Sequence, residues 1–171
     1  AIFNHDKLDW LNHEYLKRMS DDDFFEYGNR LLKERGMNVN PVLLRKIFNV
    51  ERNRIKNFDV FQNQFSFFFT LPEYSETLLV TTSSTTEKAR VILTEIEAHL
   101  QMIPDASWHG ETIKTYLEKI SEKEGRGNVY WPFRIALSGQ QFSPDPLEIA
   151  EILGKEESLR RVATALKKLT E

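Results

Sequence analysis

Apolar side chains recur every three or four positions along almost all of this 171-residue chain. This spacing collects them on one face of an α-helix, whereas a strand would place every second residue on the same face. The segments "EKARVILTEIEAHLQM" and "GETIKTYLEKISEKEG" show the helical pattern clearly. The one segment with strand character, "TLLVTT", has no second strand with which to pair. The sequence therefore predicts an all-α fold with about eight or nine helices.

Several helix boundaries are marked by residues that satisfy the free backbone groups at helix ends. Ser20, followed three residues later by Asp23, predicts a capping box at the start of the second helix. Asp145 followed by Pro146 predicts a further helix start, and Gly154 predicts where that helix ends.

The best internal boundary lies in "TLPEYSETLLVTTSSTT", which contains Pro72 and many Ser and Thr residues. Such a composition is typical of a connection between periodic segments. We therefore predict two helical subdomains, residues 1–82 and residues 83–171, with one short element in the connection. Before it, "FDVFQNQFSFFF" has aromatic residues at helical spacing, which predicts a helix with its aromatic stripe in the core.

The sequence contains none of the motifs that commonly mark an enzyme. We find no phosphate-binding loop, no Gly-X-Ser-X-Gly and no His-Glu-X-X-His. The four His residues are scattered and there is no Cys, so no metal site is predicted. No apolar run approaches the roughly 20 residues needed to cross a bilayer. These observations predict a non-membrane protein with no catalytic residue and no cofactor of its own.

Basic residues set among turns are the strongest functional signal. The formal net charge is −3, which argues against a non-specific nucleic-acid coat but allows local basic segments such as "RKIFNVERNRIK". The planar guanidinium of Arg donates two parallel hydrogen bonds to a base edge, which Lys cannot do. Candidate binding residues are therefore Arg134 beside "WPF", and Arg52 and Arg54 near a helix end. Leu147 is a further candidate, because it follows the "SPDP" turn at a helix start whose free N–H groups are expected to point outward.

Four segments resemble the C-terminal, anticodon-binding part of the bacterial-type glutamyl-tRNA synthetase family. They are "AIFNHDKLDWLNHEYL", "ERNRIKNF", "SFFFTLPEY" and "PFRIALSG...SPDPLEIAEILGKEESLRRV". They occur in the family's order and together extend from one end of the chain to the other. The last segment is the most specific of the four.

The resemblance implies an all-α, multi-helix anticodon-binding domain in two helical subdomains, which contacts the anticodon arm of tRNA(Glu). It also implies that this chain is a fragment, because the family's nucleotide-binding motifs, of the His-Ile-Gly-His and Lys-Met-Ser-Lys-Ser types, do not occur in it. The intact enzyme would ligate glutamate to tRNA with ATP and Mg, whereas this fragment would be inactive alone. A cytoplasmic monomer is implied.

The resemblance also assigns roles by position. Arg134 matches the arginine of the family's Pro-Leu-Arg signature, and Leu147 matches the hydrophobic residue after its Ser-Pro turn. Both are expected near the anticodon bases. Arg54, with Arg52 next, matches the helix arginine that is expected to read the third anticodon base. On this interpretation the Trp-Pro-Phe turn orients Arg134, the Ser-Pro-Asp-Pro turn presents Leu147, and the last two helices brace both.

Two alternatives remain open at this point. One is a helical protein-interaction module without RNA binding, which would dock through the Phe-rich helix or an acidic face and would expose an apolar patch. The other is an enzyme whose site is assembled from the scattered His and carboxylate residues.

Overall fold

The computed structural model describes residues 5–55 and 64–170 of the chain. In this part of the chain the regular structure is entirely helical, which confirms the predicted all-α class. The helices are α1 (His5–Arg18), α2 (Asp21–Glu34), α3 (Pro41–Glu51), α4 (Thr86–Met102), α5 (Gly110–Glu124), α6 (Arg126–Ser138), α7 (Pro146–Leu153) and α8 (Lys155–Lys168). Short 3-10 turns lie at Ser66–Phe68, Glu76–Leu79 and Asp105–Ser107.

The chain forms two compact units, Ala1–Ser66 and Phe67–Glu171. The division therefore precedes the Ser- and Thr-rich connection, whereas the sequence places the boundary after residue 82. The connection belongs to the second unit because tertiary hydrogen bonds attach it there. The indole N–H of Trp131 donates to the carbonyl oxygen of Leu78 at 2.8 Å. Lys168 Nζ donates to Glu73 at 3.1 Å.

The first unit packs α2 against α3 through aromatic rings. Phe48 of α3 meets Phe24 and Phe25 of α2 edge-on, with ring centroids 5.4 Å and 6.0 Å apart. The predicted capping box is present at the start of α2. Ser20 Oγ accepts a hydrogen bond from the Asp23 amide at 3.1 Å and donates one to the Asp23 carboxylate at 2.6 Å. Because capping is a local interaction, it could be predicted from the sequence alone.

The second unit is built around α6, which packs against α4, α5, α7 and α8. Most of its residues from Val129 to Ser138 are buried, so this helix forms the centre of the unit. Its C-terminal half carries Arg134 on a helix that its neighbours hold on several sides. A side chain on such a helix is positioned by the whole core of the unit.

The predicted Trp-Pro-Phe turn is wrong, because Pro132 lies inside the continuous helix α6. Proline removes one intrahelical hydrogen bond and normally disfavours a helix interior. Here Pro132 and the following residue, Phe133, are both buried, and tertiary packing overrides the local preference. In the Phe-rich stretch, Phe65 and Phe68 are buried as predicted, but Phe69, which the pattern also places in the core, is 38% exposed. Residues 66–68 form a 3-10 turn. Phe58 and Phe61 lie outside the described residues.

Candidate nucleic-acid interface

Arg134 is half-buried on α6 and holds the chain that leads into α7. Its Nη1 donates to the carbonyl oxygens of Ser143 and Pro144 at 2.6 Å and 2.7 Å, and lies 3.3 Å from Ser143 Oγ. Hydrogen bonds from a charged group to backbone carbonyls are stronger than neutral ones. The Arg134 side chain and the residues just before Leu147 are therefore fixed relative to each other.

The loop between α6 and α7, residues 139–145, is also held at its start. Gly139 has a φ of +66°, a left-handed conformation that ends α6 and that glycine adopts without strain. Ser138 Oγ accepts from the Gln140 amide at 3.1 Å and lies 3.2 Å from the Gln140 carbonyl oxygen. Because Arg134 holds the far end, backbone contacts constrain both ends of the 139–145 loop.

Leu147 is half-buried at the start of α7, two residues after the capping residue Asp145. The predicted cap is confirmed, since Asp145 Oδ1 accepts from the Leu147 amide at 2.8 Å. The expectation that the N–H groups of this helix start are free is therefore wrong for Leu147, because the cap occupies that group. Leu147 can offer an apolar side chain to a ligand, but its amide is already used.

Carboxylates surround the start of α7. Burial, followed by the charge of Asp145, raises the pKa of Glu148 above its ordinary value. The carboxylate of Glu151 accepts a hydrogen bond from the Gly110 amide at 2.8 Å, which ties α7 to the start of α5. This negative charge disfavours phosphate at Leu147, so a nucleic-acid contact there would involve an uncharged base.

Arg52 in the first unit serves a structural role at the end of α3. Its guanidinium pairs with Asp21 and donates to the carbonyl oxygen of Met19, and it lies 5.0 Å from the ring centroid of Phe24. Its side chain is 19% exposed. Asp21, at the acidic start of α2, therefore offsets part of the positive charge of the basic segment "RKIFNVERNRIK".

Arg54 lies two residues further on and is more accessible. Its side chain is 33% exposed, and Nη1 lies 3.8 Å from Oε1 of the buried residue Glu51. The buried carboxylate of Glu51 draws Nη1 of Arg54 inward, so a ligand would meet the remaining, exposed part of the side chain. Of the two candidates in the first unit, Arg54 has the geometry better suited to contact a ligand, since Arg52 is occupied by α1 and α2.

Arg161 was not among the candidate residues predicted from the sequence, in which it belongs to a basic C-terminal group with Lys155, Arg160, Lys167 and Lys168. This side chain is fully buried. Its Nε donates to Glu157 at 2.6 Å, and its Nη1 donates to the carbonyl oxygens of Leu137 and Phe67 at 2.6 Å and 2.7 Å. The i,i+4 spacing from Glu157 was the signal available in the sequence.

Lys155, another residue of that basic group, is likewise structural. Its Nζ donates to the carbonyl oxygens of Gln101 and Ile103 at 3.1 Å and 2.6 Å, and so satisfies carbonyls at the C-terminal end of α4. Together with Arg161, this shows how α8 braces the unit that carries Arg134. The charged part of the "LGKEESLRRV" signature thus serves packing.

No group of three or more His, Asp or Glu side chains in residues 5–55 and 64–170 is arranged to hold a metal ion. Over the same ranges, no helix combines the length and the apolar character needed to cross a membrane.

Comparison with known families identifies the kind of domain. Residues 8–166 match the family described as the anticodon binding domain. This match extends over most of the chain, and the chain belongs to the anticodon binding domain family.

Curated relatives cover nearly the whole chain. A glutamate–tRNA ligase of Clostridium tetani is 36% identical over an alignment of 181 residues. The alignment covers 99% of this chain and 35% of the relative. The enzyme of the same name from Clostridium botulinum is 34% identical with the same coverage. The chain therefore spans about a third of the length of these relatives.

Solved structures agree on the fold. A glutamate–tRNA ligase from Elizabethkingia meningosepticum, crystallised in complex with its amino acid, matches 98% of this chain with a TM-score of 0.81 and 25% identity. The match covers 33% of that protein. A glutamate–tRNA synthetase from Elizabethkingia anophelis matches 96% of this chain with a TM-score of 0.77. The resemblance seen in the sequence is thereby confirmed.

Proposed function

We propose that this chain recognises the anticodon arm of tRNA(Glu) for a glutamate–tRNA ligase. The observation that carries the proposal is the family match over residues 8–166, supported by relatives of that name that align with 99% of the chain. The fold supports it physically, since rigid helices hold arginines and turn residues where an unpaired RNA loop could be contacted.

The proposed activity of the whole protein is the ATP- and Mg-dependent ligation of glutamate to tRNA, in the cytoplasm. The catalytic chemistry belongs to the part of such enzymes that this chain does not match. We assign this chain no catalytic residue and no cofactor, and we propose that it binds as a monomer. Its role would be to position and select the tRNA.

In the second unit we propose that Arg134 and Leu147 contact the anticodon bases. The hydrogen bonds from Arg134 to Ser143 and Pro144 support this by holding the guanidinium next to the start of α7. The carboxylates around Leu147 support an apolar contact with a base there. A good base contact from Arg is worth about 1–3 kcal/mol of discrimination.

In the first unit we propose that Arg54 reads the third anticodon base. Its partial exposure and its position beside Glu51 support this assignment. Arg52, the second candidate, would act by holding the end of α3 in place, because its guanidinium contacts Asp21 and Met19.

A binding titration tests the proposal. A labelled stem-loop RNA with the glutamate anticodon, and the same RNA with the third anticodon base changed from C to G, are titrated with the chain at two salt concentrations. We expect binding that weakens with salt, because phosphate contacts release counterions. We also expect the native loop to bind more tightly, by about 1–3 kcal/mol.

Arg134→Gln provides the matched variant, with Arg90→Gln on α4 as its control for the loss of one charge. Arg90 pairs with Glu87 on its own helix and lies 39% exposed. Arg134→Gln should weaken binding and reduce base discrimination, whereas Arg90→Gln should alter neither beyond the small effect of charge. No binding of either RNA, nor of full-length tRNA, would contradict the proposal and favour a protein-interaction module.

A further inference from the structure

Phe142 has the most exposed large apolar side chain among the described residues, with 84% of its surface accessible. A single exposed apolar residue is common on protein surfaces and would carry no argument alone. Its position does: Phe142 lies in the 139–145 loop, which Arg134 and Ser138 hold by hydrogen bonds. The side chain therefore extends from backbone that is constrained on both sides.

The neighbours of Phe142 in the loop are polar. Gln140 and Gln141 precede it, and the buried residue Ser143 follows it. Along the loop Phe142 is thus an aromatic ring that directly follows two carboxamide side chains, and it is not part of a run of consecutive apolar residues. An aromatic face next to hydrogen-bonding groups is the chemistry that unpaired nucleobases require.

Gln141, the residue before Phe142, lines a cleft of about 350 Å³. Trp131, Leu78 and Val80 form the apolar part of its wall, and Thr77, Thr81 and Thr82 add hydroxyl groups. The indole N–H of Trp131 is bonded to Leu78, which orients the ring that lines the cleft. The hydroxyl and carboxamide groups at its wall can both donate and accept hydrogen bonds, as the edge of a base demands.

We infer that Phe142 is a stacking platform for an unpaired nucleobase of the RNA loop, with Gln141 placed to hydrogen-bond to the edge of that base. The inference rests on the proposed RNA binding and adds a residue to it. Every base has a π-face, so stacking adds affinity with little sequence preference. Phe142 would therefore strengthen binding, whereas Arg134 would select the base.

The test uses the full 171-residue chain and the labelled glutamate anticodon stem-loop. Phe142→Ala should weaken binding about 5- to 100-fold, for the native and the altered loop alike. Phe142→Tyr should retain most of the affinity, and Phe142→Leu should not, because Leu is apolar but has no π-face. The salt dependence should not change, since no charge is removed. Met102→Ala, which truncates a side chain 63% exposed at the end of α4, is the matched control.

A second measurement reports stacking directly. 2-Aminopurine is placed at each loop position in turn, and its fluorescence should be quenched by the wild type at one position but not by Phe142→Ala. Full affinity of Phe142→Leu, or unchanged binding by Phe142→Ala while Arg134→Gln loses binding, would overturn the inference and leave the proposed function standing. No binding of RNA by the wild-type chain would overturn both.

Discussion

Arg161 and Phe67 are joined by a hydrogen bond of 2.7 Å although 94 residues separate them in the chain. The same Nη1 atom also donates to the carbonyl oxygen of Leu137, near the end of α6. One buried guanidinium therefore connects α8, the end of α6 and the first residue of the second unit. These contacts hold the C-terminal end of α6, from which the 139–145 loop departs.

Among the changes of charged residues in α8, replacement of Arg161 should lower the free energy of unfolding of the second unit the most. Arg161→Met leaves the buried carbonyl oxygens of Phe67 and Leu137 without their donor, which should cost about 1–3 kcal/mol for each. Urea denaturation followed by circular dichroism measures this. Arg160→Met is the control, because Arg160 bonds to the same carboxylate but is 61% exposed and should cost less than about 1 kcal/mol. Equal losses would refute the structural role of Arg161.

The pH dependence of stability should report Glu157. Hydrogen bonds from Arg160 and Arg161, with the charges of both, lower the pKa of Glu157 from 4.5 to about 2. Because the folded-state pKa is depressed, this stabilisation is complete above the unfolded-state value and is lost as the pH falls through the range between 4.5 and 2.

The variant Glu157→Gln has no carboxylate to protonate at this position. Urea midpoints of the wild type should therefore exceed those of Glu157→Gln near neutral pH, and the difference should close by about pH 2. A constant difference over the whole range would show that the carboxylate charge contributes nothing. Circular dichroism at each pH establishes that both proteins start from the folded state.

Local features of this fold were predictable, and distant ones were not. The caps at Ser20 and Asp145 involve residues two or three positions apart, so sequence spacing was sufficient. The burial of Arg161 depends on carbonyl groups brought from distant segments, and a charged residue is ordinarily expected at the surface. The helix through Pro132 likewise depends on the packing around it, which local preferences do not encode.

The candidate site likewise has parts that could be predicted from the sequence and parts that could not. The resemblance selected Arg134 and Leu147, and the structure shows that the backbone between them is held by Arg134 itself. Nothing in the sequence indicated that Arg52 would be occupied by Asp21, because the two are 31 residues apart. No pattern in the sequence singles out Phe142 among the 12 Phe residues, because only its exposure in the structure distinguishes it from core residues.

Any side chain at Gly139 should lower the free energy of unfolding of the second unit. Its φ of +66° costs other residues about 1–2 kcal/mol, and a Cβ there would lie 2.7 Å from Pro72 Cγ and 3.1 Å from Tyr74 Cδ1. Gly139→Ala should therefore lower the free energy of unfolding by at least about 2 kcal/mol. Gly127→Ala is the control, because a Cβ there meets nothing within 4 Å and Ala favours the helix by up to about 1 kcal/mol. Thermal unfolding compares the two, and similar destabilisation would contradict this account.

Changing Arg52 and Arg54 singly to Lys should affect different properties, stability in the first case and base preference in the second. Arg54→Lys keeps a positive charge near Glu51 but loses the planar fork, so the preference for C over G at the third anticodon base should fall by about 1–3 kcal/mol with little change in stability. Arg52→Lys cannot bridge Asp21 and Met19 in the same way, so it should lower the free energy of unfolding by about 1–3 kcal/mol and leave the base preference intact. RNA titrations and urea denaturation of both variants measure the two quantities. A shift in base preference with Arg52→Lys, or none with Arg54→Lys, would reverse the roles assigned here, because the accessible arginine would then not be the one that reads the base.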